Sequence, residues 1–162
     1  MKTCVFAGTF DPITIGHYFI IDKCSKQYEK VLVVIGQNPK KQCLLNEEQR
    51  LALVKKAFSD HINVQVYLYS TYKERYADFL KENNATVYVR GIRDQKDFEF
   101  EKQMEQKNKE IYPFITTEYI WCDEYKEVSS SLVKQNVLEG KEYISLIPEK
   151  ARQLFAEYLD KQ

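Results

Sequence analysis

The chain has 162 residues, in which 24 lysines and arginines balance 24 aspartates and glutamates to give a formal net charge of zero. This length allows one full hydrophobic core, so we expect a single domain over residues 1–162. Because the chain lacks the basic excess of a protein that holds long nucleic acid by its phosphates, we expect no nucleic-acid partner and only a local anion site.

The first predicted elements are a strand over residues 3–7, a helix over residues 16–28 and a strand over residues 31–35. The first strand is a short apolar run that ends at Gly8, and the helix carries apolar side chains at helical spacing. The second strand, VLVVI, consists of β-branched residues and one leucine. Such a run is typical of a strand that is covered on both faces of a parallel sheet.

The middle of the chain continues this alternation. A helix is predicted to begin at Asn46, which forms a capping-box pattern with Gln49. A strand, a helix and a short strand are then predicted over residues 64–69, 72–82 and 86–89. The last of these strands leads into Arg90 and Gly91.

A long charged helix is predicted over residues 97–111, with Phe98, Met104 and Ile111 as expected core contacts. A fifth strand and two helices follow over residues 117–122, 129–138 and 149–159. Strand and helix therefore alternate five times, which predicts an α/β fold with a doubly wound, five-stranded parallel sheet of the Rossmann type. In that architecture, ligands bind beyond the carboxyl ends of the strands, near the switch in strand order.

The cysteines and the apolar runs indicate the compartment. The cysteines lie without a C-x-x-C pair or a nearby histidine at zinc spacing, at Cys4, Cys24, Cys43 and Cys122. We therefore expect reduced thiols, no protein ligands for a metal and a cytoplasmic location. The N-terminal apolar run is too short for a signal peptide, and no run approaches the roughly 20 residues that span a membrane, so we expect no membrane partner.

The segment GTFDPITIGH follows the first predicted strand. It has neither the G-x-G-x-x-G pattern of dinucleotide sites nor the G-x-x-x-x-G-K pattern of Walker loops. Gly8 and Thr9 lie at the strand end, and Gly16 and His17 open the helix, where free N–H groups attract phosphate. Taken alone, the segment fits tight turns and an ordinary first-turn histidine better than a ligand site.

Four segments together resemble a known family. Residues 14–17, TIGH, resemble the T-x-G-H signature of the nucleotidylyltransferase superfamily. The RGIR and DFEFE segments within residues 90–101, and SSSLVK at residues 129–134, resemble the remaining signatures of bacterial phosphopantetheine adenylyltransferases. Two departures are Ile15, where asparagine is frequent, and YKEV at residues 125–128, where many relatives carry tryptophan and phenylalanine.

The resemblance implies a direct in-line transfer of the adenylyl group of ATP to 4′-phosphopantetheine, which gives dephospho-coenzyme A and pyrophosphate. The attacking phosphate monoester is mostly dianionic at neutral pH, since its second pKa is near ~6, so no general base is needed. The resemblance also implies Mg²⁺ that is bound through the ATP phosphates, and a homohexamer.

The resemblance further implies roles for single residues. His17 would stabilise charge on the α-phosphate, Lys41 would bind the incoming phosphate, and Arg93 would bind the ATP phosphates. Because Lys40 and Lys41 are adjacent, a one-residue error in the alignment would exchange their roles. The implied ATP-binding positions are Thr9, Phe10, His17, Gly91, Ile92, Arg93, Glu101, Tyr125, Lys126, Glu127, Val128, Ser129, Ser130 and Ser131. The implied acceptor positions are Thr9, Lys41, Tyr76 and Arg90.

The sequence also fits other interpretations. A nicotinamide-mononucleotide adenylyltransferase or a glycerol-phosphate cytidylyltransferase would share the first motif, although SSSLVK favours the pantetheine branch. A non-catalytic nucleotide-binding module would keep the fold, although the complete set of charged motif residues argues against it. For Arg90 and Arg93 the alternative is a solvated loop, and for Glu101 it is the surface of a charged helix.

Overall fold

Five parallel strands form one sheet in the computed structural model, which describes residues 2–40 and 42–162. In chain order the strands are β1 Thr3–Gly8, β2 Lys30–Ile35, β3 Val64–Leu68, β4 Ala85–Ile92 and β5 Thr116–Trp121. Their order across the sheet is β3-β2-β1-β4-β5, so the switch in strand order lies between β1 and β4. The predicted doubly wound α/β fold is confirmed.

The α-helices in the described residues are α1 Ile15–Gln27, α2 Glu47–Ala57, α3 Tyr69–Tyr72, α4 Tyr76–Glu82, α5 Gln95–Ile111, α6 Ser130–Glu139 and α7 Arg152–Asp160. The predicted capping box at α2 is present, since the Asn46 side chain accepts from the Gln49 N–H and the Gln49 side chain accepts from the Asn46 N–H. Within the described ranges, no helix has both the length and the hydrophobicity needed to cross a bilayer.

The sheet separates two buried layers, because neighbouring residues of a strand face opposite sides. Cys4 and Phe6 of β1 face the layer built with α1, α2, α6 and α7. Val5, between them, faces the layer built with α4. Both faces of the central strands are therefore covered, which explains why β2 is apolar from Val31 to Ile35. Cysteines 4, 24, 43 and 122 are all free thiols.

Element boundaries differ from the prediction by three residues or more in three places. The helix predicted over residues 72–82 is broken into α3, a 3₁₀ turn at Lys73–Arg75 and α4. The last helix is preceded by a 3₁₀ turn at Glu149–Ala151. Strand β4 continues through Arg90 and Gly91, because it pairs with β5 as far as Ile92.

Helix α5 shows where periodicity failed as a guide to burial. Ile111, an expected core contact, is 63% exposed, so that prediction is wrong. Phe98 and Met104 are half-buried, and the Phe98 ring packs 5.2 Å from Tyr119 and 5.7 Å from Trp121 between centroids. The physical reason is that β5 is an edge strand, so the helix beside it covers only the border of the sheet.

Candidate active site

A cavity of about 290 Å³ is lined by residues from the carboxyl ends of β1 and β4, on either side of the switch in strand order. Its lining also includes the first turn of α1, part of α5 and the segment before α6. The predicted site residues that line it are His17, Arg90, Gly91, Arg93, Glu101, Tyr125, Val128, Ser129 and Ser130. The fold therefore brings positions that are more than a hundred residues apart around one cavity.

His17 is fixed by the residue that caps its helix. The Thr14 side chain accepts a hydrogen bond from the His17 N–H at 3.4 Å, and the Thr14 N–H donates to His17 Nδ1 at 3.0 Å. Because a backbone N–H can only donate, Nδ1 must accept, and the proton of the neutral ring is therefore on Nε2. This arrangement leaves Nε2–H as the donor that the ring can offer to a ligand.

The surroundings keep the His17 imidazole neutral. Its ring lies 4.8 Å from the Phe10 ring and 6.4 Å from the Phe6 ring between centroids. Burial, together with the smaller effect of the nearby charge of Arg93, lowers the pKa of His17 from 6.5 to about 4. At neutral pH the side chain is therefore a hydrogen-bond donor without a charge.

This pKa predicts how stability depends on pH. As pH falls from about 7 to about 5, the unfolded chain binds a proton at the ordinary histidine pKa of 6.5, whereas folded His17 does not. The folded state should therefore lose about 2 kcal/mol over this window, relative to a His17→Gln variant. Thermal melts of both proteins at the two pH values test this. An equal loss in both proteins would contradict it.

Arg90 of β4 and Glu101 of α5 face each other in the cavity wall. The Arg90 Nε lies 3.4 Å from a Glu101 carboxylate oxygen, and the guanidinium lies over the Tyr88 ring at 5.6 Å. Burial raises the pKa of Glu101, the charge of Arg90 lowers it, and Asp97 raises it. Both side chains are mostly buried, so neither is the solvated surface group that was the alternative for each.

Arg93 lies further out, just after β4. Its Nε and its backbone N–H both lie 3.2 Å from the same Asp97 carboxylate oxygen. The Arg93 side chain is 42% exposed, so it retains access to solvent at the rim of the cavity. The two motif arginines therefore occupy different depths of one site.

Two hydroxyl groups of the serine-rich segment before α6 form hydrogen bonds within the protein. Ser129 is the N-cap, and its hydroxyl accepts from the Leu132 N–H at 3.0 Å. The Ser130 hydroxyl donates to the Pro12 carbonyl at 2.8 Å, which attaches α6 to the first motif. Ser131 is exposed and does not line the cavity.

Several predicted positions lie outside the cavity lining. Thr9 is half-buried at the end of β1, the Phe10 ring belongs to the core, and Ile92 is buried. The Tyr76 side chain is buried on the opposite face of the sheet, where its hydroxyl accepts from Tyr88 at 3.0 Å, so this side chain is not available to a substrate. Lys126 and Glu127 are exposed. Lys41 lies outside the described residues, and Lys40 is exposed.

Sequence reasoning missed three charged residues near the motif. Asp11 is only 1% exposed and accepts hydrogen bonds from the Leu44 and Leu45 N–H groups at 2.8 and 2.9 Å. Lys134 of α6 donates to the same carboxylate at 3.1 Å. Arg50 of α2 is buried against backbone carbonyls. Asp11 and Lys134 stand within the recognised motifs, which was the available signal, but nothing in their spacing indicates that they pair.

Among the described residues, no three histidine, cysteine, aspartate or glutamate side chains are grouped so that they could hold a metal ion.

Comparison with solved structures supports the fold. A structure from Vibrio parahaemolyticus aligns with 97% of this chain and 93% of its own, with a TM-score of 0.72 at 22% identity. A bifunctional NMN adenylyltransferase/ADP ribose pyrophosphatase from Francisella tularensis also gives 0.72 at 20% identity, over 99% of this chain and 50% of its own. At these identities the likeness concerns the fold alone.

Comparison of sequences identifies the family. The cytidylyltransferase-like family matches residues 5–136. A phosphopantetheine adenylyltransferase of Clostridium tetani is 39% identical over 150 residues, which cover 92% of this chain and 92% of the relative. One from Clostridium botulinum (strain 657 / Type Ba4) is 37% identical over 92% of this chain and 90% of its own. The resemblance found in the motifs is therefore confirmed: the chain belongs to the cytidylyltransferase-like family and, within it, to the phosphopantetheine adenylyltransferases.

Proposed function

We propose that this enzyme transfers the adenylyl group of ATP to 4′-phosphopantetheine and so forms dephospho-coenzyme A and pyrophosphate, a step of coenzyme A biosynthesis. The observation that carries the proposal is the single cavity at the strand switch, where His17, Arg90 and Arg93 meet. The names of the clostridial relatives support the choice of acceptor.

The main obstacle to this reaction is electrostatic. The acceptor phosphate must approach the α-phosphorus of ATP, and charges at about 4 Å interact by roughly 4 kcal/mol at an effective dielectric constant near 20. Cations and fixed hydrogen-bond donors lower this barrier by holding both anions in line and by stabilising the charge of the transition state. The site offers both kinds of group.

Each group has a proposed place in the reaction. His17 donates from Nε2 to the α-phosphate, where charge increases in the transition state. Arg93, at the rim, binds the ATP phosphates, and Arg90, deeper in the wall, holds the acceptor phosphate by a forked contact. Lys41 meets the incoming phosphate as a flexible point charge.

The remaining predicted contacts complete the two binding sites. For ATP we propose backbone or side-chain contacts from positions 9, 10, 91, 92, 101 and 125–131. For the acceptor we propose Thr9 and the backbone of Tyr76, since the Tyr76 side chain is buried in the core. The Glu101 carboxylate lies beside Arg90, so it also offsets part of the positive charge that the site presents to an anion.

Three further features belong to this proposal. Mg²⁺ is bound through the ATP phosphates, because this ion keeps its water ligands and prefers substrate phosphates to a protein cage. When bound, it neutralises charge on the triphosphate. The enzyme acts in the cytoplasm as a homohexamer, and light scattering of the purified protein tests the assembly, since a monomer or a dimer would contradict it.

A pyrophosphate-release assay with separate acceptors tests the function. With ATP and Mg²⁺ present, we expect turnover with 4′-phosphopantetheine and little with nicotinamide mononucleotide or glycerol phosphate. Turnover with nicotinamide mononucleotide but not with phosphopantetheine would overturn the proposed acceptor. Nucleotide binding without turnover of any acceptor would favour the non-catalytic module instead.

A further inference from the structure

A buried arginine lies directly behind the first motif. Arg50, in the first turn of α2, is only 3% exposed. Its Nη1 donates to the Thr9 and Gly36 carbonyls at 2.9 Å each, and its Nε donates to the Leu45 carbonyl at 3.3 Å. One guanidinium thus joins the ends of β1 and β2 to the segment that enters α2.

The guanidinium of Arg50 is compensated by hydrogen bonds to backbone carbonyls. In the part of the chain that the structure describes, no acidic side chain forms a salt bridge with it, and the nearby carboxylate of Asp11 is paired with Lys134. A cation in the first turn of a helix also lies at the positive end of the helix dipole. Burial of a charge under these conditions is costly and is tolerated only where hydrogen bonds compensate it. All the acceptors that do so here are backbone carbonyls.

The peptide unit between Thr9 and Phe10 is the one of functional interest. It is a trans peptide, so the Thr9 carbonyl and the Phe10 N–H point in opposite directions. With the carbonyl bound to Arg50, the N–H is directed away from the guanidinium. Among the described residues, no backbone carbonyl accepts a hydrogen bond from this N–H.

The conformation of Phe10 is held by its surroundings. Its φ of 53° lies in the left-handed region, which is unfavourable for a residue with a side chain. Such a conformation persists only where packing over-determines it, and residues of this kind cluster at ligand sites. The Phe10 ring packs against the rings of Phe6 and His17, so the same contacts fix the ring of His17 and the direction of the Phe10 N–H.

We propose that Arg50 is a positioning residue, which orients and polarises the Thr9–Phe10 peptide so that the Phe10 N–H becomes a strengthened donor to a substrate phosphate. A cation on the carbonyl draws electron density through the conjugated amide and makes the N–H more acidic, as in cooperative hydrogen-bond chains. Because the donor is already oriented, no reorganisation is needed when the anion binds. The identity of the anion as a phosphate rests on the proposed function.

The test measures pyrophosphate binding by calorimetry, which needs no acceptor and no turnover. We expect Arg50→Met to weaken binding about tenfold or more, and Arg50→Lys to weaken it less, because lysine keeps the charge but not the fork. Arg152→Met is the matched control, since the Arg152 Nε also donates to a carbonyl five residues earlier, that of Ile147, but outside the cavity. This control should bind pyrophosphate as the unaltered protein does.

A second measurement applies to the unaltered protein and so does not depend on the variants folding. With ¹⁵N labelling, the Phe10 amide signal should move downfield as pyrophosphate is added. A Phe10 signal that stays in place while pyrophosphate binds would overturn the proposal, as would full affinity in a folded Arg50→Met protein. If phosphopantetheine is not the acceptor, the assay above fails while these results are unchanged, so the two proposals are separable.

Discussion

Replacement of His17 by alanine should reduce turnover by about 10²-fold or more, while ATP binding survives. This is the scale observed when one preorganised donor to a transition state is removed. Because Nδ1 is held by Thr14, Nε2–H is the donor that the ring can offer to the α-phosphate, while the other proposed contacts to ATP stay in place. Pyrophosphate release gives the rate, and calorimetry with ATP gives the affinity.

The other histidine provides the matched control. His61 hydrogen bonds to Asp22 and Asp60 and does not line the cavity, so His61→Ala should keep its turnover. Unchanged turnover in His17→Ala would show that the role of His17 is misassigned. The pH profile gives a second check: with a His17 pKa of about 4, the rate should show no step from this residue near pH 6.5. A rate that increases as pH falls through 6.5 would instead indicate that a charged imidazole acts.

The sequence predicted those parts of the fold that local signals determine. The apolar run at residues 31–35 became the core of β2, and the capping pattern at Asn46 marks the start of α2. Local patterns did not predict the exposure of Ile111 in helix α5. The burial of this residue depends on whether another element covers the edge strand, and no local pattern records that. The break before α4 is likewise not marked by a proline or glycine in residues 72–82.

The site shows a similar limit. Motif order was enough to nominate nine of the residues that line the cavity, but not their protonation or their partners. The tautomer of His17 follows from its contact with Thr14, and the pairing of Arg90 with Glu101 follows from the packing of α5 beside β4. Arg50 could not be recognised as buried from the sequence, since an arginine in the first turn of an amphipathic helix is usually solvated. The hydrogen-bond partners of Arg50 are backbone carbonyls, and because every residue has one, the residue types in the sequence do not mark them.

Replacing Arg90 or Arg93 by methionine should impair the use of a different substrate in each case. Arg90→Met should raise the KM for 4′-phosphopantetheine by about 30-fold to 100-fold and change the KM for ATP little, since a buried charged hydrogen bond contributes about 2–3 kcal/mol. Arg93→Met should raise the KM for ATP and lower kcat, by a smaller factor of about tenfold, because solvent already screens this exposed side chain. Steady-state kinetics with each substrate varied in turn give both constants.

We expect the two replacements to affect different substrates because the two arginines lie at different depths in the site. Arg90 is mostly buried beside Glu101, so its removal also leaves that carboxylate without a partner and makes the wall repel an incoming phosphate. Arg90→Lys retains the charge without the fork, and its acceptor KM should lie between those of the unaltered protein and Arg90→Met. If Arg90→Met impaired ATP and spared the acceptor, the assignments of the two residues would have to be exchanged. Equal effects on both substrates would instead place both arginines on one shared phosphate.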